Sequence, residues 1–158
     1  MNRKITALAT VLLLSLSLIA CSNQTNTVNQ VENTTEENAK QPIKLAKRVV
    51  ALTPLAADLI YNLDKNKLVA VPNGRYISKT DKFTELPRVG ARGNVNLEKI
   101  VALKPDLVIG SELFQSQALN RLKELGIDTI SHQTSSWQDL ENLTKQLATR
   151  VGANAQPI

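Results

Sequence analysis

"NLEKIVALKPDLVIG", residues 96–110, places a helix and a strand next to each other with almost nothing between them. Leu97, Ile100, Val101 and Leu103 recur at the spacing of one helix face, and Asn96 supplies a side-chain oxygen to cap the first turn. Pro105 cannot continue that helix, because its ring disfavours helical geometry in the preceding residue and removes a backbone donor. Asp106 then leads into Leu107, Val108 and Ile109, an apolar run with no polar alternation. Such a strand is buried on both faces, as strands of parallel sheets are. The stretch therefore predicts an α/β fold, and it delivers the chain to Gly110, Ser111, Glu112 and Phe114 at the carboxyl end of the strand.

The flanking sequence repeats this alternation. Residues 48–52 predict a strand, and Thr53-Pro54 predicts a helix start, a capping hydroxyl followed by proline at the first helical position. Leu55, Leu59, Ile60 and Leu63 form the apolar face of that helix, and a second strand over 68–71 stops at Pro72. Residues 73–96 read as irregular, with Gly74, Pro87, Gly90 and Gly93. A helix over 116–125 ends at Gly126, a strand follows over 127–131, and Ser136-Trp137-Gln138-Asp139 is a capping box for a last helix bearing Leu140, Leu143, Leu147 and Val151. Strand–helix alternation predicts a parallel sheet with helices on both faces, joined by right-handed crossovers. In such a sheet the carboxyl ends of the strands share one edge, where ligands bind. The edge loops here are residues 53–55, 73–77, 110–115 and 132–136.

Ahead of this domain the composition changes. Arg3 and Lys4 precede an uncharged apolar run to Ala20, which predicts a secretory signal peptide over residues 1–20. That run is shorter than the roughly 20 residues that cross a bilayer comfortably. Its ending, Leu18-Ile19-Ala20-Cys21, resembles the bacterial lipobox, so Cys21 is expected to carry lipid; the alternative is a free cysteine after an ordinary signal peptide. Residues 21–46 then read as a polar tether too poor in apolar surface to fold, and residues 47–158 as one domain. Without Arg3 and Lys4 the chain carries 17 basic and 14 acidic residues. That balance lacks the clustered basic stripe and stacking aromatics of a nucleic-acid binder.

Enzyme signatures are sparse. There is no Gly-x-Gly-x-x-Gly after a strand and no phosphate loop, and Gly-Ala-Arg-Gly over 90–93 is too short to replace either. His132 is the only histidine, so no histidine triad and no multi-histidine zinc site is available, and no metal site or cofactor is expected. The residues suited to an anionic ligand are Arg75, Arg88 and Arg92, with Tyr76 adding a flat face and a polar tip. Phe114 and Trp137, also on edge loops, offer surface to a bulky organic molecule. Each of these has a plainer reading, solvated arginines and a tryptophan packed on the core.

Three runs carry a family resemblance: "RVVALTPLAADLIYNLDKNKLVAV" (48–71), "LPRVGARGNVNLEKIVALKPDLVIGSE" (86–112) and "LKELGIDTI" (122–130). They resemble the amino-terminal lobe of the substrate-binding proteins of iron-siderophore, haem and cobalamin ABC transporters. The resemblance implies a binding protein and no enzyme, built as two α/β lobes bridged by a long helix with the ligand between them. It implies ligand contacts from residues 53–55, 73–76, 91–93, 111–114 and 132–134, so that Thr53, Pro54, Asn73, Arg75, Tyr76, Arg92, Ser111, Glu112, Phe114 and His132 become the expected site. It also implies an ABC permease as partner, and an exported protein held by lipid at the outer face of the cytoplasmic membrane. A ferric siderophore is the expected ligand, with haem or cobalamin next.

Two departures from the family pattern stand out. Where members offer a surface carboxylate to the permease, this chain reads Gln115-Ser116-Gln117, leaving Glu112 as the nearby acid. The sequence ends at Ile158, where the bridging helix would begin, so only the first lobe is expected. The alternative is a single-lobe lipoprotein serving as an interaction module, or a truncated product without function.

Overall fold

The computed structural model describes residues 43–154, so the signal segment, Cys21 and most of the expected tether lie outside the described residues. Four strands form a parallel sheet: β1 (Val49–Ala51), β2 (Leu68–Ala70), β5 (Leu107–Ser111) and β6 (Asp128–His132), in the order β2-β1-β5-β6. Between β2 and β5 the chain makes a small antiparallel hairpin from β3 (Gly90–Ala91) and β4 (Asn94–Val95). The helices are α1 (Pro54–Asp64), α2 (Arg75–Ser78), α3 (Leu97–Ala102), α4 (Glu112–Glu124) and α5 (Trp137–Val151).

Alternation along the strands divides the core in two, since successive side chains of a strand leave opposite faces of the sheet. Val49, Ala51, Leu107, Ile109 and Ile130 pack with Ala56, Ala57 and Ile60 of α1 and with Leu143, Leu147 and Val151 of α5. Val50, Leu52, Ala70 and Val108 pack with Ile100 of α3 and with Leu119 and Leu122 of α4. The helices therefore cover both faces, as the apolar runs predict.

Local signals set most helix starts. Thr53 accepts from the Ala56 N–H at 3.1 Å, and Asn96 accepts from the Lys99 N–H at 2.8 Å. Ser136 and Asp139 close a full capping box at α5. Three expectations are corrected. The helix after β5 begins at Glu112, four residues before the predicted start at 116, because its first turn exposes Leu113 and Phe114 and so lacks an apolar periodicity to read. The irregular stretch contains α2, the hairpin and a 3-10 turn at Asp81–Phe83 anchored by the buried Phe83. Ala46, expected in the tether, is buried, and its N–H donates to Arg150 O at 2.7 Å.

Two glycines of the irregular stretch differ in what they allow. Gly90 has φ +102°, and a Cβ there would meet Asn94 O at 2.2 Å, so only glycine fits the hairpin. Gly74 is extended, with open space where a Cβ would go. Gly90→Ala is expected to destabilise the domain by about 2 kcal/mol or more, through the left-handed φ and the backbone clash together. Gly74→Ala is expected to stay within about 0.5 kcal/mol of the parent. Urea unfolding midpoints of the two variants measure the contrast.

Candidate functional site

The strand order reverses between β1 and β5. β1 leads through α1 outward to β2, whereas β5 leads through α4 outward to β6. A crevice opens at the carboxyl edge of a parallel sheet where its crossovers diverge in this way. An open depression of about 710 Å³ lies there.

Each edge loop contributes to its lining: Thr53, Pro54 and Leu55 after β1, residues 72–76 after β2, Ala91 and Arg92 from the hairpin, Ser111, Leu113, Phe114 and Gln115 after β5, and residues 132–135 after β6. Nine of the ten expected site residues are thus brought together. The exception is Glu112, exposed in the first turn of α4 and outside the lining. Trp137 and Arg88 also lie outside it. Trp137 is 66% exposed at the first position of α5, so it neither borders the depression nor packs on the core. Arg88 belongs to the backbone bridge Val71↔Arg88, and its carbonyl accepts from Lys99 Nζ at 3.5 Å.

The polar groups are held by specific contacts. His132 ends β6 with Nε2 at 3.1 Å from Thr53 Oγ1 and Nδ1 at 3.1 Å from Thr134 Oγ1, so both ring nitrogens face hydroxyls. Burial holds its pKa below the ordinary histidine value, favouring the neutral ring. Arg92 has φ +38°, an uncommon conformation for a residue with a Cβ, and its guanidinium lies 5.0 Å over the Phe114 ring. Its carbonyl accepts from Gln115 Nε2 at 3.1 Å, while Gln115 Oε1 accepts from the Ser111 N–H at 2.7 Å. Gln115 is buried, and through it the hairpin and the end of β5 hold one another.

Tyr76 is less free than its sequence position suggests. Its hydroxyl donates to Asp58 Oδ2 at 2.7 Å, and Asp58 also pairs with Lys82. The hydrogen bond to Asp58, ahead of desolvation, raises the phenol's pKa. Asp58 was not legible as part of this region, because a polar residue within a helix reads as its solvated face. Asn73 is fixed through its backbone, whose N–H donates to Gly90 O at 2.6 Å.

The lining holds two arginines, one neutral histidine and no carboxylate. It presents positive charge and hydroxyls beside the apolar surface of Leu113, Phe114 and Pro54, an arrangement suited to holding an anion that is also bulky. Among the described residues no group of three or more His, Cys, Asp or Glu gathers to hold a metal ion, and no helix is long and apolar enough to cross a membrane.

The histidine generates a pH prediction. A folded-state pKa below the ordinary 6.5 means that the unfolded chain binds more protons as pH falls through that value. Stability is therefore expected to drop on acidification from about pH 7.5 to about 5.5, above the range in which carboxylates titrate. Unfolding midpoints across that interval should show the slope in the parent and a flatter profile in His132→Gln. An equal slope in both would assign the pH dependence elsewhere.

Known proteins are similar to this chain in fold and in sequence. The family described as periplasmic binding protein matches residues 49–156. A Bacillus subtilis (strain 168) protein, YhfQ, whose provisional name is ABC transporter substrate-binding lipoprotein, is 29% identical over 163 residues, covering 95% of this chain and 50% of its own length. The crystal structure of the Vibrio cholerae periplasmic vitamin B12 binding protein BtuF is similar with a TM-score of 0.59 and 31% identity, covering 66% of this chain and 41% of that one. Staphylococcus aureus SirA, solved in complex with staphyloferrin B, is similar with a TM-score of 0.53 and 27% identity over 68% of this chain and 38% of that one. The chain therefore spans about half the length, or less, of the relatives it matches. With the family match running from the first strand of the sheet to beyond α5, the chain belongs to the periplasmic binding protein family.

Proposed function

We propose that residues 47–158 form the amino-terminal lobe of the substrate-binding component of an ABC importer. In this reading the lobe captures a ferric siderophore and presents it to a membrane permease. The observation that carries the ligand class is the lining itself, in which Arg75 and Arg92 face the depression with no carboxylate among its residues. A ferric chelate rich in oxygen anions would receive charge-assisted hydrogen bonds from the two guanidiniums, and Phe114 and Leu113 would cover its organic part. SirA, with its bound staphyloferrin B, supports the same choice. The role is binding, as the family match supports, with both ring nitrogens of His132 taken up by the Thr53 and Thr134 hydroxyls.

Haem or cobalamin is the second reading. The exposed Leu113 and Phe114 and the likeness to the vitamin B12 binding protein favour it. Titration calorimetry of the chain with ferric staphyloferrin B, haemin and cyanocobalamin separates the two. The ferric chelate is expected to bind most strongly, weakly in absolute terms because one lobe buries only one side of a ligand. Arg92→Gln is expected to cost about tenfold in that affinity and to reduce its salt dependence. Stronger binding of cyanocobalamin, unaffected by Arg92→Gln, would replace the siderophore reading with the second.

Export and anchoring complete the proposal: residues 1–20 serve as a signal peptide, Cys21 carries lipid, and a tether ending ahead of Ala46 holds the lobe outside the cytoplasmic membrane. The Leu-Ile-Ala-Cys ending and the lipoprotein name of YhfQ support this. Metabolic labelling with a radioactive fatty acid should mark the protein and fail to mark Cys21→Ala. Equal label in both would overturn the anchor.

A further inference from the structure

Asp58 stands outside the lining of the depression, yet it touches the segment that lines one side of it. Tyr76 and Lys82 both reach Asp58, one from α2 and the other from the 3-10 turn that follows. Asp58 and Lys82 are each about a quarter exposed at the side chain (26%), so the pair is partly shielded from water. Lys82 Nζ also lies 5.3 Å over the Tyr61 ring and 5.0 Å over the Phe83 ring, and those two rings meet edge to face at 5.6 Å. The cluster thus fastens an otherwise lightly held stretch to the middle of α1. α2 is only four residues long, and Gly74 at its start provides no side-chain cap. Its apolar anchors are Ile77 and the nearby Phe83, which fix depth in the core but leave the exposed Arg75 and Tyr76 free to swing.

We propose that Asp58 is a positioning residue for ligand capture: by accepting from the Tyr76 hydroxyl while paired with Lys82, it fixes the α2 segment so that Arg75 faces the depression. This inference rests on the binding role given above. The same helix that caps its start with Thr53 beside His132 thereby also holds the α2 segment, through Asp58 five residues further on. The raised Tyr76 pKa agrees with the contact, because ionising the phenol would both break a hydrogen bond and set two negative charges together.

Three variants test the proposal. Asp58→Asn removes the charge at constant shape, Tyr76→Phe removes the hydroxyl and leaves the Asp58–Lys82 pair intact, and Asp58→Glu restores a carboxylate. Amide exchange across residues 74–80 is expected to quicken about tenfold in Asp58→Asn and in Tyr76→Phe, with β1 and β5 unchanged, and to recover in part in Asp58→Glu. The double variant should add little to Asp58→Asn, whose lost charge already weakens the hold on Tyr76, and should exceed Tyr76→Phe by the loss of the Lys82 pair, so that the two single effects do not sum. Absorbance titration should show the Tyr76 phenol ionising at lower pH in Asp58→Asn, a change that loosened packing alone would not produce. Affinity for ferric staphyloferrin B should fall several-fold in both single variants. Additive effects with an unmoved phenol titration would overturn the positioning role. If exchange and titration respond as expected while the parent binds none of ferric staphyloferrin B, haemin and cyanocobalamin, the clamp on α2 stands and the importer reading is what fails.

Discussion

The parallel pairing of β1 with β5 is the constraint on which the other elements depend. Val49, Val50 and Ala51 lie opposite Leu107, Val108 and Ile109, and the ladder runs one step past β1 where the Leu52 N–H donates to Ile109 O at 2.8 Å. At the other end the Asp106 carboxylate accepts from the N–H groups of Lys47 and Arg48, while the Arg48 guanidinium donates to Leu103 O. This polar clasp sets the register before the apolar residues begin. Register matters because a one-residue slip would exchange the two faces of β1 and turn Val50 into the core that Val49 and Ala51 fill. With the pair fixed, the crossovers must leave in opposite directions, and Thr53 and Ser111 come to flank the crevice.

A buried side chain then links the crevice to the hairpin. Gln115 uses its carbonyl on the Ser111 N–H and its amide on Arg92 O, so its burial leaves neither end unsatisfied. An unpaired amide at that position would cost about 1–3 kcal/mol. The contact also helps maintain the uncommon backbone of Arg92, whose guanidinium is in turn laid over Phe114. Two residues from α4 thus set the direction of a charge on a hairpin about twenty positions earlier in the chain.

What could be read from the sequence follows from the range of the interactions involved. The four strands and the starts of α1, α3 and α5 were legible because apolar runs and caps such as Thr53, Asn96 and Ser136 act within a few residues. The edge loops followed from topology, so nine of the ten expected site residues line the depression although no motif names them individually. The start of α4 was hidden by its exposed apolar first turn, whose hold on the chain is Gln115 reaching back to Ser111. Asp58 was hidden for a related reason: its partners, Tyr76 and Lys82, are 18 and 24 residues away, and nothing near it in sequence marks the pairing. Trp137 lies outside the lining, and an aromatic next to an edge loop does not by its position reveal which side of the helix start faces the crevice.

Three carboxylates adjoin residues of the lining without entering it. Asp58 is taken up by Lys82 and the Tyr76 hydroxyl. Asp139, one turn from the lining residue Ser135, accepts from the N–H groups of Ser135 and Ser136, and those bonds lower its pKa. Its negative charge is thereby directed at backbone donors of the α5 cap. Glu112 projects from the first turn of α4 outside the lining, where it suits the positive end of the helix dipole. None of the three enters the lining, which leaves Arg75 and Arg92 without an acidic neighbour there. A guanidinium already paired with a carboxylate must break that pair before it can take an anion, whereas an unpaired one gives up only water. The carboxylates of Asp58 and Asp139 are committed to the bonds that fasten α2 and cap α5, and neither enters the lining.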